Sequence, residues 1–214
     1  MGDAESMLQP GRNTKRGELL VATHNPGKKQ EYLELLAPLE VEIRFPDGLN
    51  VHLDVRETGT TYAENARKKA ESYARASELH TLADDSGLEV HALGGAPGIH
   101  SARYVAGSDA DRVQALLSDL RDVPWEERTA RFRCVIVVVT QEGEVYEAEG
   151  VCEGMITYEP AGEGGFGYDP VFYVPDYDST MAQLSRETKN RISHRARAVQ
   201  AALPTLTRLL DEPG

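Results

Sequence analysis

Apolar and polar positions change period along this chain, and each change of period marks a change of element. Residues 18–22 form a short strand-like run. A turn at Thr23, His24, Asn25 and Pro26 follows, and then helical spacing through residue 36 sets Tyr32, Leu35 and Leu36 on one side. Asn25 is the expected N-cap and Pro26 the first helical residue, because proline lacks an N–H where none is needed. Residues 41–43 predict a second strand, and residues 47–60 read as irregular or weakly extended. Thr61 with Glu64 is a capping-box pattern, after which Ala63, Ala66, Ala70, Tyr73 and Ala74 mark one face of a long helix. Residues 81–83 and 88–90 read as two extended pieces flanking an acidic turn at Asp84, Asp85, Ser86 and Gly87.

Gly94, Gly95, Pro97 and Gly98 mark a loop, and Ser108 with Asp111 caps a helix running to about Leu120. Residues 131–140 hold the apolar run from Cys134 to Val139, the mark of a strand buried on both faces. A charged turn leads to a partner strand over residues 145–156, so a central hairpin is expected. A glycine-rich loop over residues 162–169, a short strand over 171–174 and a terminal helix over 193–210 complete the chain, with Pro204 expected to kink or interrupt that helix. The pattern predicts an α/β fold with a mixed central β-sheet flanked by helices.

With 214 residues and 40% hydrophobic content, one domain can bury a large core without staples. Residues 1–17 are polar and aperiodic and read as a disordered extension, leaving 18–214 as a single two-lobed domain. A net charge of -12 argues against nucleic acid or an anionic membrane as partner but leaves room for a small anion held by local cations. Cys134 and Cys152 lack CxxC spacing and read as reduced, buried residues. No stretch approaches the roughly 18 apolar residues of a membrane span, and no secretory leader is visible, so a soluble cytoplasmic protein is expected.

Four polar clusters fall between the regular elements. Thr23 to Lys28 turns a helix N-terminus and a lysine toward one point, which suits a phosphate, although Ala22 and Lys29 exclude a Walker A loop. Glu57 and the pair Asp84 and Asp85 are the hard oxygen donors that Mg²⁺ prefers. Asn65 and Lys69 lie one helical turn apart on one face of the helix after Glu57, beside the acidic residues, and Lys69 is within reach of a triphosphate. The segment from Gly162 to Gly167 matches GxGxxG, but no helix opens at its end, so it is no dinucleotide fingerprint. Its glycines suggest close backbone approach to a ligand with Phe166 available to stack, and Lys189, His194 and Arg195 follow near the start of the last helix. Singly, each cluster reads first as ordinary structure: a capped helix, turn-forming aspartates, solvated lysines, helix-start polarity.

Taken in order, these segments resemble the inosine triphosphate pyrophosphatase family, also called XTP/dITP diphosphatases. The resemblance rests on Ala22 to Lys28, Glu57 to Gly59, Glu64 to Ala66 with Lys69, and Ala83 to Leu88. It continues through Gly94 to Gly98, Ser101 to Tyr104, Gly164 to Pro170 and Ser193 to Arg195. It implies a two-lobed homodimer with substrate in the cleft between lobes. It also implies hydrolysis of the purine nucleoside triphosphates ITP, dITP and XTP to the monophosphate and pyrophosphate, which keeps them out of DNA and RNA. By position, Thr23, His24, Asn25, Pro26, Gly27, Lys28 and Lys69 hold the triphosphate, while Glu57 and Asp85 hold Mg²⁺. Asp85 is also the proton acceptor for the attacking water, and Ser86 touches the nucleotide. Phe166, Gly167, Tyr168, Asp169, Lys189, His194 and Arg195 form the base pocket. His24 and His100 depart from the family pattern, standing where a smaller residue and an aromatic are usual. A Maf-like pyrophosphatase of other base specificity and a non-catalytic nucleotide sensor are the competing readings; the first lacks its basic motif here, since Thr23 to Lys28 carries no paired arginines.

Overall fold

A computed structural model describes residues 17–49, 51 and 53–211. The expected disordered extension lies outside the described residues apart from Gly17, whose carbonyl accepts from Glu42 N at 2.9 Å.

The first half contains strand β1 (Glu18–Val21), helix α1 (Pro26–Leu35), strand β2 (Glu42–Arg44), helix α2 (Tyr62–Ser77) and strand β3 (Thr81–Val90). The second half contains helix α3 (Asp109–Asp119), strands β4 (Thr129–Val139), β5 (Val145–Ile156), β6 (Phe172–Val174) and β7 (Ser179–Thr180), and helices α4 (Arg186–Ile192) and α5 (His194–Asp211). They form one seven-stranded mixed sheet in the order β2-β1-β3-β4-β5-β6-β7. β1 runs parallel to β2 and β3, and every other pair is antiparallel. The expected caps are in place. Asn25 Oδ1 accepts from Lys28 N at 2.9 Å, Thr61 Oγ1 accepts from Glu64 N at 3.1 Å, and Ser108 with Asp111 forms a reciprocal capping box. The Glu64 carboxylate also accepts from Thr60 N at 2.7 Å.

Three expectations are corrected. Asp84 to Gly87 is not a turn but the middle of β3, which runs unbroken from Thr81 to Val90. The continuous apolar β4 pairs with its whole length, from Thr81 opposite Val139 to Val90 opposite Ala130, and ten laddered residues outweigh the turn propensity of two aspartates. Gly87 serves close approach rather than turning, since a Cβ there would lie 2.2 Å from Gly98 O. Pro204 does not interrupt α5. Pro204 and Gln200 are both exposed, so the carbonyl that loses its partner can be hydrated, while buried Ala198, Val199, Ala202, Leu206 and Leu210 hold the opposite face. Lys189 does not start the last helix; it sits in the separate helix α4, which ends at an extended Ser193.

Strand alternation divides the core. Leu82, Cys134, Ile136 and Val138 face α1 and α5, packing with Tyr32, Ala202 and Leu206. Ala83, Val135, Val137 and Val139 face the other way, onto Ala66, Ala70 and Tyr73 of α2. Farther along the same strands, Leu88, Val90 and Phe132 join α3 and β6 in a third cluster with Leu116, Ile156 and Phe172. Both cysteines are free and buried in these cores. Among the described residues, no helix is long and apolar enough to cross a membrane.

Helix α5 lies directly on β5 at Gly150, where a Cβ would fall 2.2 Å from His194 O and 2.3 Å from Ala198 N. Because both obstacles are backbone, Gly150→Ala is expected to lower stability by about 3 kcal/mol, in the upper range for overpacking. Urea unfolding measures it, and a loss below about 0.5 kcal/mol would contradict this packing.

Candidate active site

The ladder between β1 and β3 is short: only Leu20 opposite Thr81 and Val21 opposite Leu82 pair. Ala22 N then donates to Leu82 O at 2.8 Å, and the chain leaves the sheet to enter α1. From Ala83 onward that edge of β3 is uncovered, and a cavity of about 450 Å³ opens beside it. Its wall brings together Thr23, His24, Asn25, Lys28, Glu57, Lys69, Asp85, Ser86, Phe166, Gly167, Tyr168, Asp169, Lys189, His194 and Arg195, from seven separate stretches of sequence. Pro26 and Gly27 are not in the wall. Pro26 starts α1, and Gly27 lies under the Phe166 ring, where a Cβ would meet ring carbons at 2.5 Å.

Consecutive residues of β3 point to opposite faces, so two adjacent aspartates meet different surroundings. Asp84 is buried toward α1 and α5, with Lys28 Nζ 2.8 Å and Arg195 Nη2 3.4 Å from Oδ2. Burial works to raise its pKa, but Lys28, Arg195 and Lys69 outweigh burial and hold the carboxyl far below the usual range. Asp85 faces α2. Its Oδ2 accepts from Asn65 Nδ2 at 3.0 Å and its Oδ1 from Ser86 N at 3.0 Å. Here burial wins: the pKa is raised, with the charge of Glu57 adding to the effect. Glu57 itself is lowered against its burial, chiefly by Lys69, whose Nζ is 2.7 Å from Oε1. Lys69 also donates to Asp84 O at 2.9 Å, and Arg103 Nη1 lies 3.1 Å from the second Glu57 oxygen. Asn65 and Lys69 thus share the face expected of them. His24 sits at the rim, bonded to Asp47 at 2.8 Å and Tyr73 Oη at 2.9 Å, while His100 is exposed and outside the wall.

At the other end, Phe166 has two cations near its ring, with Lys189 Nζ 5.0 Å and the Arg195 guanidinium 5.7 Å from the centroid. Lys189 Nζ is 2.5 Å from Asp169 Oδ2 and 2.8 Å from Glu31 Oε1, and the other Glu31 oxygen pairs with Arg195 Nη1. Arg195 Nη2 donates to Ser86 Oγ at 3.0 Å. His194 stacks on Phe132 with centroids 4.7 Å apart, and burial pushes its pKa well down, so the ring is neutral near pH 7. Among the described residues, Arg195 Nε and His194 Nδ1 are buried without a hydrogen-bond partner.

Glu31 and Arg103 are residues whose roles sequence reasoning did not assign, and Asp84, read there with Asp85 as a metal donor, is instead paired with Lys28 and Arg195. Glu31 follows Lys28 by three positions and so shares its helix face, which is the one signal that pointed to it. It is 9% exposed, and removing one member of a buried charge cluster leaves the others unpaired. Glu31→Gln is expected to cost about 3 kcal/mol in urea unfolding. The folded pKa values of Glu31 and Asp84 are both depressed below 4.5 and 3.8, so the stability they add is present above those values and lost as pH falls through the folded ones. The variant should therefore lose less stability than the parent between neutral and acid pH, and equal losses would refute the role of Glu31.

Comparison with known proteins follows the same outline. The Ham1 family model matches residues 19–205. The chain is 48% identical to the dITP/XTP pyrophosphatase of Desulforamulus reducens over 90% of its own length and 96% of that protein. It is 45% identical to the dITP/XTP pyrophosphatase of Bacillus subtilis, over 91% of this chain and 97% of that one. A solved HAM1 protein from Coxiella burnetii has the same fold, with a TM-score of 0.80 at 41% identity over 89% of this chain and 98% of that chain. In sequence from β1 into the last helix, and in the architecture around the cavity, this chain belongs to the Ham1 family.

Proposed function

We propose that this protein is a Mg²⁺-dependent pyrophosphatase that hydrolyses ITP, dITP and XTP to the nucleoside monophosphate and pyrophosphate. The observation that carries the reading is the division of two adjacent carboxyls between opposite faces of β3: Asp84 is buried against Lys28 and Arg195, whereas Asp85 lines the cavity with Glu57 and Lys69 and is held by Asn65. The relatives named dITP/XTP pyrophosphatase support the substrate class. They give no support to a Maf-like specificity or a non-catalytic sensor.

Glu57 and Asp85 fit a magnesium ion. Their charges repel, a cation relieves that repulsion, and Mg²⁺ usually takes one or two carboxylates with waters and substrate phosphates. Bound there, Mg²⁺ would neutralise phosphate charge. Asp85 takes the proton of the water that attacks the α-phosphorus, and the bond to the β-phosphate oxygen breaks. Lys28 and Lys69 offset the charge that develops on pyrophosphate, helped by the N–H groups at the start of α1. Asp84 holds Lys28 in place through the 2.8 Å ion pair. Phe166 stacks on the base. Arg195, which cannot give up its proton, donates to O6 of hypoxanthine or xanthine; the adenine amino group would leave donor facing donor. A single two-lobed unit over residues 18–214, a homodimer measurable by light scattering, and a cytoplasmic setting suited to free buried thiols complete the reading.

Asp85→Asn is expected to keep the fold and lower kcat by about 10³-fold, since it removes a metal ligand and a base together. In the parent, kcat should fall with acid as Asp85 is protonated, and near-parental turnover by the variant would sink the assignment. A panel of ITP, XTP, GTP and ATP with and without Mg²⁺, reading pyrophosphate against orthophosphate, tests the substrate. ITP and XTP should exceed ATP by about 10²-fold in kcat/KM, and equal efficiency for ATP would refute the polarity rule.

A further inference from the structure

Two carboxylates hold the peptide that carries Phe166. One is Asp169, whose Oδ2 accepts from Phe166 N at 2.9 Å and is itself fixed by Lys189. The other is Asp109, the first residue of α3, whose Oδ2 accepts from Gly167 N at 2.8 Å. The second Asp109 oxygen pairs with Arg112 Nη2, and Arg112 Nη1 donates to Gly107 O at 2.9 Å. Arg112 thus sets the direction of the Asp109 carboxylate.

Helix α3 does not need this carboxylate, because Ser108 and Asp111 already form its capping box. The loop does need an anchor. Gly167 has a left-handed φ of +63° and open space where a Cβ would be, so no packing holds its peptide on that side. Asp109 and Arg112 both stand in the cavity wall next to Gly167 and Tyr168. We propose that Asp109, oriented by Arg112, is a positioning residue for the base end of the cavity: it latches Gly167 so that the Phe166 ring stays over Gly27 at the height that stacks a purine. This rests on the purine triphosphate reading above.

The test compares Asp109→Ala, which removes the acceptor, with Asp109→Asn, whose amide oxygen still accepts from Gly167 N. In amide hydrogen exchange, peptides covering residues 162–168 should exchange faster in D109A and at nearly the parental rate in D109N. With ITP and Mg²⁺, D109A should raise KM about tenfold while kcat stays within about twofold, as expected when a ground-state binding surface loosens, and D109N should recover most of the change. Parental exchange and KM in D109A would overturn the latch. So would equal impairment in D109A and D109N, which would assign the effect to the charge and not to the hydrogen bond. A parent chain that releases no pyrophosphate from ITP would instead overturn the reading beneath the proposal, and the exchange measurement would then decide the latch alone.

Discussion

A buried chain of alternating charges organises this molecule. Lys28 of α1 meets Asp84 of β3, Asp84 meets Arg195 of α5, Arg195 meets Glu31 of α1, and Glu31 meets Lys189 of α4, which ends on Asp169 of the glycine loop. Each member is costly to bury alone and acceptable only when its neighbours are in place, so the chain of pairs defines one relative placement of four elements and a loop. Its contribution is positional more than stabilising. It sits between the two ends of the cavity, so the cations for a phosphate and those near a base share the same carboxylates.

That arrangement explains how a chain of net charge -12 can hold a polyanion. The average field repels one, yet Lys28, Lys69, Lys189 and Arg195 converge on a cavity in which burial and the helix N-terminus strengthen each local interaction. Asp84 ties three of them together, its carboxylate meeting Lys28 and Arg195 and its carbonyl accepting from Lys69. Asp85, one residue away, makes no ion pair with them because strand geometry turns it to the other face, against Asn65, and Lys69 and Lys28 act on it only from a distance. The distinction between the two carboxyls therefore comes from the period of a β-strand.

Much of the fold was legible in the chain because its signals were local. Asn25, Thr61 and Ser108 cap helices where their side-chain chemistry says they should, and the apolar run of β4 is buried on both faces. The failures share a cause. Asp84 to Gly87 has turn composition, but β4 supplies a ladder partner for every residue, a fact that resides in another segment. Pro204 has breaker chemistry, but the sheet beneath α5 and the water above it remove the penalty. At the site, motif residues such as Lys28, Lys69, Phe166 and Arg195 could be named, whereas Glu31 and Asp109 could not. Their partners lie far along the chain, and an isolated acidic residue near a helix start looks like any other.

The docking of α5 on Gly150 has a consequence for how the protein is made. Glu31 and Arg195 are 164 positions apart, and Asp84 and Arg195 are 111 apart. A growing chain therefore exposes the carboxylates of α1 and β3 long before their guanidinium partner exists, since that partner sits on α5, which follows every strand of the sheet. Strands β1 to β5 can collapse early around their own apolar residues, but the cavity cannot be completed until α5 closes over β5.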